Sequence, residues 1–515
     1  MTSADLQSSW LSTLRAFSHP RVVTMLFLGF SAGIPILLIF SSLSLWLREA
    51  GVERAAVTYF SWAALGYSFK FVWAPLVDQL PLPWLSKRLG RRRSWMLVAQ
   101  FAIATAIALM ASIDPQASDY GLTLMALAAV MLGFSSATQD IVIDAYRIES
   151  ADSELQALLS ATYIAGYRIG MLVAGAGSLY LAASLGSTSE VYDYQAWRYT
   201  YGLMAATMLV GIVTTLIIRE PEHSAASPYV DKIGEYARFL MLFLVLVAGF
   251  VGSFYLAGDT ALLLKANLTE AFGNRFLVGF VVESLRLAIA LGVAGALAYG
   301  LIKAEFVSYE MVNRSYLMPV REFFGRYGLS LAWTLLALIG LYRLSDIVLG
   351  VIANVFYQDL GFSKIEIASV AKTFGLLMTI VGGFVGGLLS VRFGVVRILF
   401  LGALLSAATN LLFMLLASVG NDIMWLYIVI SADNLSAGLA SAAFVAFLSS
   451  LTSISFTATQ YAIFSSLMTL VPKILGGYSG SIVDTIGYPT FFLLTALMGI
   501  PVLLLIAYAA RRYRW

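Results

Sequence analysis

Five charged side chains, Lys70, Asp140, Asp144, Arg147 and Arg168, fall within stretches otherwise apolar enough to lie in a lipid bilayer. A charge at the centre of a spanning helix costs roughly 3 kcal/mol on the mildest scale. Such groups persist where they face a cavity, a partner charge or a solute, or where they take up and release a proton. Asp140 and Asp144 are spaced i, i+4 and share a helix face, about 6 Å apart along the axis. Asp140 is expected to carry a proton, and Gln139 beside it to bind the substrate; the alternative for Asp140 is an aspartate held ionised by Lys70 or Arg168. Lys70, flanked by Phe69, Phe71 and Trp73, reads as a cavity cation for a substrate carboxylate, or as a lysine reaching to the interface. Arg168 sits between Gly166 and Gly170 and suits a bidentate carboxylate pair or neutralisation of Asp140. Its counterpart in the second half is Lys473, and Lys372 is expected as a further cavity cation there. Tyr67 and Trp73, like Trp46 and Trp62, could stack on a sugar ring, although aromatic residues also mark membrane interfaces. Asp144 and Arg147, nearer the helix end, are expected to join Asp78, Arg91, Arg92 and Arg93 in a gate at the inner surface. Arg343 and Asp346, three residues apart, are expected to pair with each other.

The elements that must hold these groups are spanning helices. The chain has 515 residues, 60% hydrophobic and 12% charged, where soluble domains are nearer one quarter charged. It contains no cysteine, which excludes disulfides and thiolate chemistry. Its two histidines, His19 and His223, fall in expected loops, so a histidine metal cluster is excluded and proton transfer must use carboxylates. No Gly-x-x-x-x-Gly-Lys-Ser/Thr run appears, so ATP does not drive the process. No cofactor and no metal are expected. A net charge of +3 gives no reason to expect a nucleic-acid partner.

Apolar runs of about 20 residues predict fourteen helices. The first six are 21–47, 55–78, 94–113, 120–147, 156–184 and 197–218. Two more follow at 236–264 and 273–301, and the last six are 329–358, 365–390, 394–418, 422–450, 456–484 and 488–510. The expected domains are a cytoplasmic N-terminus (1–20), a six-helix bundle (21–219), a loop with two inserted helices (220–302), an amphipathic cytoplasmic linker (303–327), a second six-helix bundle (328–510) and a cytoplasmic tail (511–515). Lys and Arg gather in alternate loops, as at Lys87 to Arg93, Arg392 and Arg397, while 114–119 and 185–196 have none. Both termini are therefore expected in the cytoplasm.

The halves repeat. Arg168 to Gly175 and Lys473 to Gly480 are each seven residues, at an offset of about 305 that also aligns Ser160 with Ser465. Gly90-Arg91-Arg92-Arg93 has a softer counterpart around Arg392-Phe393-Gly394. Two related halves suggest a transporter with alternating access. Pro75-Leu76-Val77-Asp78 followed by Gly90 to Arg93 resembles, with a longer loop, the signature of the major facilitator superfamily. Three blocks, at residues 69–78, 136–145 and 166–173, are similar to the AmpG muropeptide permeases of Gram-negative bacteria. The resemblance implies an all-α polytopic fold of two six-helix bundles plus two inserted helices. It also implies proton-driven import of anhydro-muropeptides, GlcNAc-anhydroMurNAc with or without a peptide stem, across the inner membrane, in cell-wall recycling and β-lactamase induction. The implied partners are the muropeptide, protons and membrane lipid. The alternatives are a facilitator of another cargo (sugar, peptide, siderophore or drug) and a membrane enzyme of cell-wall metabolism.

Overall fold

The computed structural model describes residues 15–52, 67, 69–117, 120–152, 155–187, 191–221, 233–273, 275–476 and 479–512, which are helix and turn throughout. Most of the expected second helix, with Trp62, lies outside the described residues. So do most of the expected N-terminal segment, His223, and residues 513–515 of the tail. Thirteen helices among the described residues are long and apolar enough to cross a membrane.

The first half contains α1 (Pro20–Glu49), α2 (Ala74–Gln79, the described end of the second helix), α3 (Arg91–Ala111), α4 (Gly121–Ser150), α5 (Gln156–Ser184) and α6 (Tyr194–Ile217). The inserted helices are α7 (Ile233–Leu256), which continues as a second helical piece over Gly258–Phe272, and α8 (Arg275–Lys303). The second half contains α9 (Tyr309–Asp359), α10 (Ile367–Phe393), α11 (Val395–Val419), α12 (Ile423–Leu451), α13 (Thr457–Gly476) and α14 (Ile482–Arg512). Two compact units result. One holds Met1–Val77, Leu82–Ala225 and Arg326–Trp515, and the other holds Asp78–Pro81 and Ala226–Gly325.

The expected linker at 303–327 is largely helical from Tyr309 onward and runs on into the next span. Met311, Ser315 and Phe323 are buried along one face while Arg314 and Arg321 are exposed. The backbone breaks at Gly328 (φ 74) and again at Gly487 (φ 75). These breaks lie one residue before the helix starts expected at 329 and 488.

The repeat is visible in backbone geometry. Gly90 (φ 89) caps α3 and Gly394 (φ 88) caps α11, each next to an Arg-bearing turn. A left-handed residue at both positions favours glycine, which has no Cβ to clash. This is the physical content of the softer sequence match.

Small residues bring helices together within the first half. A Cβ at Gly166 would collide with the Leu26 carbonyl oxygen, and one at Gly170 with that of Phe30; Gly29 and Gly33 meet Tyr163 and Tyr167 in the same way. The Gly166/Gly170 spacing therefore works as helix-contact spacing. Gly170→Val is expected to cost about 1–3 kcal/mol by overpacking, read as a lowered melting temperature of the purified protein. Unchanged melting would show that the α1–α5 contact has slack.

The halves also touch each other at the arginine-rich end. Gly387 of α10 faces Ala157 and Ala161 of α5, so closely that an added Cβ would lie 2.7 Å from the Ala161 Cβ. Phe17 and Phe384 pack edge to face with centroids 5.3 Å apart.

Candidate functional site

α4 changes character half-way along. Leu124, Leu127, Val130 and Phe134 form an exposed stripe at helical spacing, as a lipid-facing surface requires. From Ser135 to Ser150 every residue is buried. The polar half of this helix is thus surrounded by protein on all sides, which is the condition under which charged groups survive at membrane depth.

Lys70 lies in a short 3-10 turn, Lys70–Val72, and is buried. Its Nζ is 3.7 Å from Asp144 Oδ2. Arg147 is fully buried, and its Nη2 lies 3.3 Å from Asp144 Oδ1. Arg147 Nη1 donates to Ser160 Oγ (3.2 Å) and, across to the second half, to Ser449 Oγ (2.7 Å). The guanidinium also stands 5.2 Å from the Tyr461 ring centre. Lys70, Asp144 and Arg147 therefore form one chain of charges that ends on the other half of the protein.

Asp140 sits one turn away from this chain. It is buried, and its Oδ1 has no hydrogen-bond partner among the described residues. The Lys70 charge reaches it, but the ion pair of Lys70 is with Asp144. Tyr67, Tyr163 and Tyr167 lie within range of the Asp140 charge. Gln139 is fully buried, with neither Oε1 nor Nε2 hydrogen-bonded among the described residues. Tyr67 donates to Ser136 Oγ at 2.5 Å.

Several expected residues are placed differently. Trp73 is buried against Phe134, with its Nε1 donating to Thr138 Oγ1 at 3.1 Å, so its ring has no open face to offer a sugar. Trp46 is likewise buried, stacked on Trp197 at 5.5 Å. Arg168 makes no ion pair with Asp140; its Nη1 lies 3.8 Å from Met171 Sδ. Lys372, in the π-helical turn Ile367–Phe374, is exposed. Arg343 and Asp346 do pair, at 3.6 Å.

The expected single gate is divided in two. Among the described residues, Asp144 pairs with Lys70 and Arg147 rather than with the arginines of residues 91–93. The reason is the helical turn: Glu149, two residues beyond Arg147, points to the other side of α4 and takes Arg92 instead. Arg92 Nε and Nη2 contact Glu149 at 3.0 and 2.5 Å, and both side chains are wholly buried. Glu220 accepts from the backbone amides of Arg92 (2.7 Å) and Arg93 (3.1 Å), an acidic cap at a helix N-terminus. Burial raises the pKa of Glu220 while those two amides lower it. Arg93 spends its guanidinium on the Thr215 and Leu216 carbonyls at the end of α6. Arg91 is half-buried beside this cluster, and Asp78 is buried at the end of α2. Sequence reasoning missed Glu149, Glu220, Ser449 and Tyr461. Only Glu149 left a signal, as a further carboxylate within the same polar run.

A model of the Major Facilitator Superfamily matches residues 25–341 and 334–514. The chain belongs to this superfamily. Within it, the facilitator is 30% identical over 494 residues to the putative transporter AmpG 4 of Rickettsia conorii, covering 96% of this chain and 97% of the relative. It is 29% identical over 494 residues to the anhydromuropeptide permease of Escherichia coli K12, covering 96% of this chain and 80% of the relative. These relatives make it an AmpG-like facilitator, a multi-pass membrane transporter. The fold is shared with the proton:xylose symporter XylE (TM-score 0.58, 12% identity, 97% of this chain and 96% of the other). It is also shared with the Escherichia coli fucose:proton symporter FucP (TM-score 0.56, 12% identity, 95% and 97%).

Proposed function

We propose that this facilitator imports anhydro-muropeptides from periplasm to cytoplasm by proton symport, in the inner membrane and with both termini cytoplasmic. The observation that carries the cargo is the nearly full-length similarity to the anhydromuropeptide permease of Escherichia coli. Asp140 is the proton carrier. It is a buried carboxylate with a free oxygen and no ion pair among the described residues, whereas Asp144 holds two cations. Gln139 and Tyr67 adjoin it and offer hydrogen bonds to a sugar or a peptide amide. Lys70, Arg168 and Lys372 offer cations to the carboxylates of the muropeptide. Arg147 is the bolt of the inner gate, tethered by Asp144 and engaged on Ser449, and it must withdraw for the halves to rock apart. The arginine-rich end is then the cytoplasmic end, where Arg147–Ser449 and Gly387–Ala161 join the two halves.

Uptake of labelled anhydro-muropeptide into right-side-out and inverted vesicles tests the reading. Accumulation in right-side-out vesicles under an inward proton gradient is expected. Its absence, with accumulation of a simple sugar or peptide instead, would replace the cargo. Lys70→Ala is expected to weaken muropeptide binding about tenfold, roughly 1.4 kcal/mol, measured by calorimetry on the purified protein. An unchanged Kd would confine Lys70 to its pairing with Asp144.

A further inference from the structure

The turn that opens α3 recurs at the start of α11, but only the first is closed by a carboxylate of the chain. At α3, Glu220 accepts from the amides of Arg92 and Arg93, and a Cβ built at Gly90 would strike that carboxyl group. At α11 the matching left-handed glycine, Gly394, has no protein atom of the described residues within 4 Å of its Cβ position. Among the described residues no side chain accepts from the amides of Val395, Val396 or Arg397. The last helix of the first half is followed by Glu220, and that of the second half ends on Arg511 and Arg512. α11 is 25 residues long. A helix of this length carries about half a positive charge at its N-terminus, and its first-turn amides have no partner within the helix.

That N-terminus lines a cavity of about 1550 Å³. Four arginines line the same cavity, Arg21 and Arg219 from the first half and Arg392 and Arg397 from the second. Its carboxylates are Glu149, Asp152 and Glu220. Glu149 is neutralised by Arg92, Glu220 is spent on the α3 amides, and Asp152 is exposed. Four positive charges thus stand against two negative ones. The N-terminus of α1, in the same wall, caps itself, with His19 Nδ1 accepting from the Arg21 amide at 3.3 Å. The deciding group is Ser390, one helical turn before Gly394. It lines the cavity and is 2% exposed, and its hydroxyl has no hydrogen-bond partner among the described residues. A hydroxyl buried in this way is costly unless a ligand completes it.

We propose that the N-terminus of α11, with Ser390, Arg392 and Arg397, binds a phosphate group, either free or as the headgroup of an anionic lipid. The first-turn amides hold its oxygens as the α3 amides hold Glu220. The Ser390 hydroxyl is a further donor, and the arginines supply the counter-charge. A tetrahedral oxyanion has acceptors for all of these groups. The site is separate from Asp140 and depends neither on the cargo nor on proton coupling.

Titration of the delipidated full-length protein in detergent with inorganic phosphate, at an ionic strength held constant with chloride, reads the site. One phosphate per chain is expected by calorimetry, together with a melting temperature higher than in chloride alone. Ser390→Ala is expected to weaken the Kd about tenfold. Arg397→Glu sets a carboxylate in the first turn of α11, as Glu220 does for α3. It is expected to abolish phosphate binding while the protein melts no lower than the parent. Arg88→Gln is expected to leave the Kd unchanged, because Arg88 rests on the Trp84 ring and does not line the cavity. The same response to phosphate as to chloride overturns the proposal, and so does a Kd indifferent to both Ser390→Ala and Arg397→Glu. Nanodiscs distinguish the sources. Loss of the phosphate response when phosphatidylglycerol replaces phosphatidylcholine assigns the site to a lipid headgroup, and an unchanged response assigns it to free phosphate. No muropeptide or proton gradient enters these measurements, so failure of the cargo assignment leaves them intact.

Discussion

An Asp140→Asn variant is expected to insert and fold like the parent protein and to lose concentrative uptake. Asparagine keeps the shape of the protonated carboxyl group, so neither the packing around α4 nor the Lys70–Asp144–Arg147 chain is disturbed. What disappears is the ability to change charge at the position that adjoins Gln139 and Tyr67, where solute would bind. Without it, solute binding and proton binding cannot bias each other, and a gradient of one does no work on the other. Exchange of labelled for unlabelled muropeptide across vesicles should persist in the variant, while accumulation driven by an imposed pH gradient should vanish. A variant that still accumulates solute under that gradient would place the obligatory proton site elsewhere.

Arg92→Ala is expected to have the largest effect on stability. The Arg92–Glu149 pair is bidentate and wholly buried. Removing one member of such a pair leaves a naked charge and costs about 3–5 kcal/mol, a large share of the 5–15 kcal/mol that holds a typical protein folded. The yield of folded protein from membranes should collapse. The double variant Arg92→Met with Glu149→Leu should recover most of the loss, because two apolar side chains of similar size need no solvation. Melting curves in detergent decide the matter. A stable single variant, or a double variant no better than the single one, would show that water reaches the pair.

Much of this arrangement was legible in the chain. The succession of spanning helices, the Gly166/Gly170 contact, the Arg343–Asp346 pair and the enclosure of the polar residues 135–147 within protein follow from apolar run lengths and from the cost of charge in lipid. These depend on neighbours within a turn or two. The partners across the fold were not legible. Ser449 lies 302 residues from Arg147 and Glu149 lies 57 from Arg92, and a serine in an apolar helix carries no mark of the arginine it will meet. Trp73 shows the other limit. Residue type gave a ring that could stack on sugar, but only packing shows that Phe134 and Thr138 already occupy it.

The meeting of Gly387 with Ala157 and Ala161 bears on how fast the proposed cycle can turn. Surfaces that mesh like gear teeth must unmesh before they part, and each interlocked side chain adds to the barrier. Here two nearly bare backbones lie against each other, and little has to be extracted when they separate. Cohesion at the arginine-rich end then includes discrete fasteners, among them Arg147 on Ser449. A joint of that design can be loosened at one point without disturbing the bearing surface. Its open and closed populations can therefore be tuned by a single hydroxyl, as in Ser449→Ala, while the rest of the bundle stays as it is.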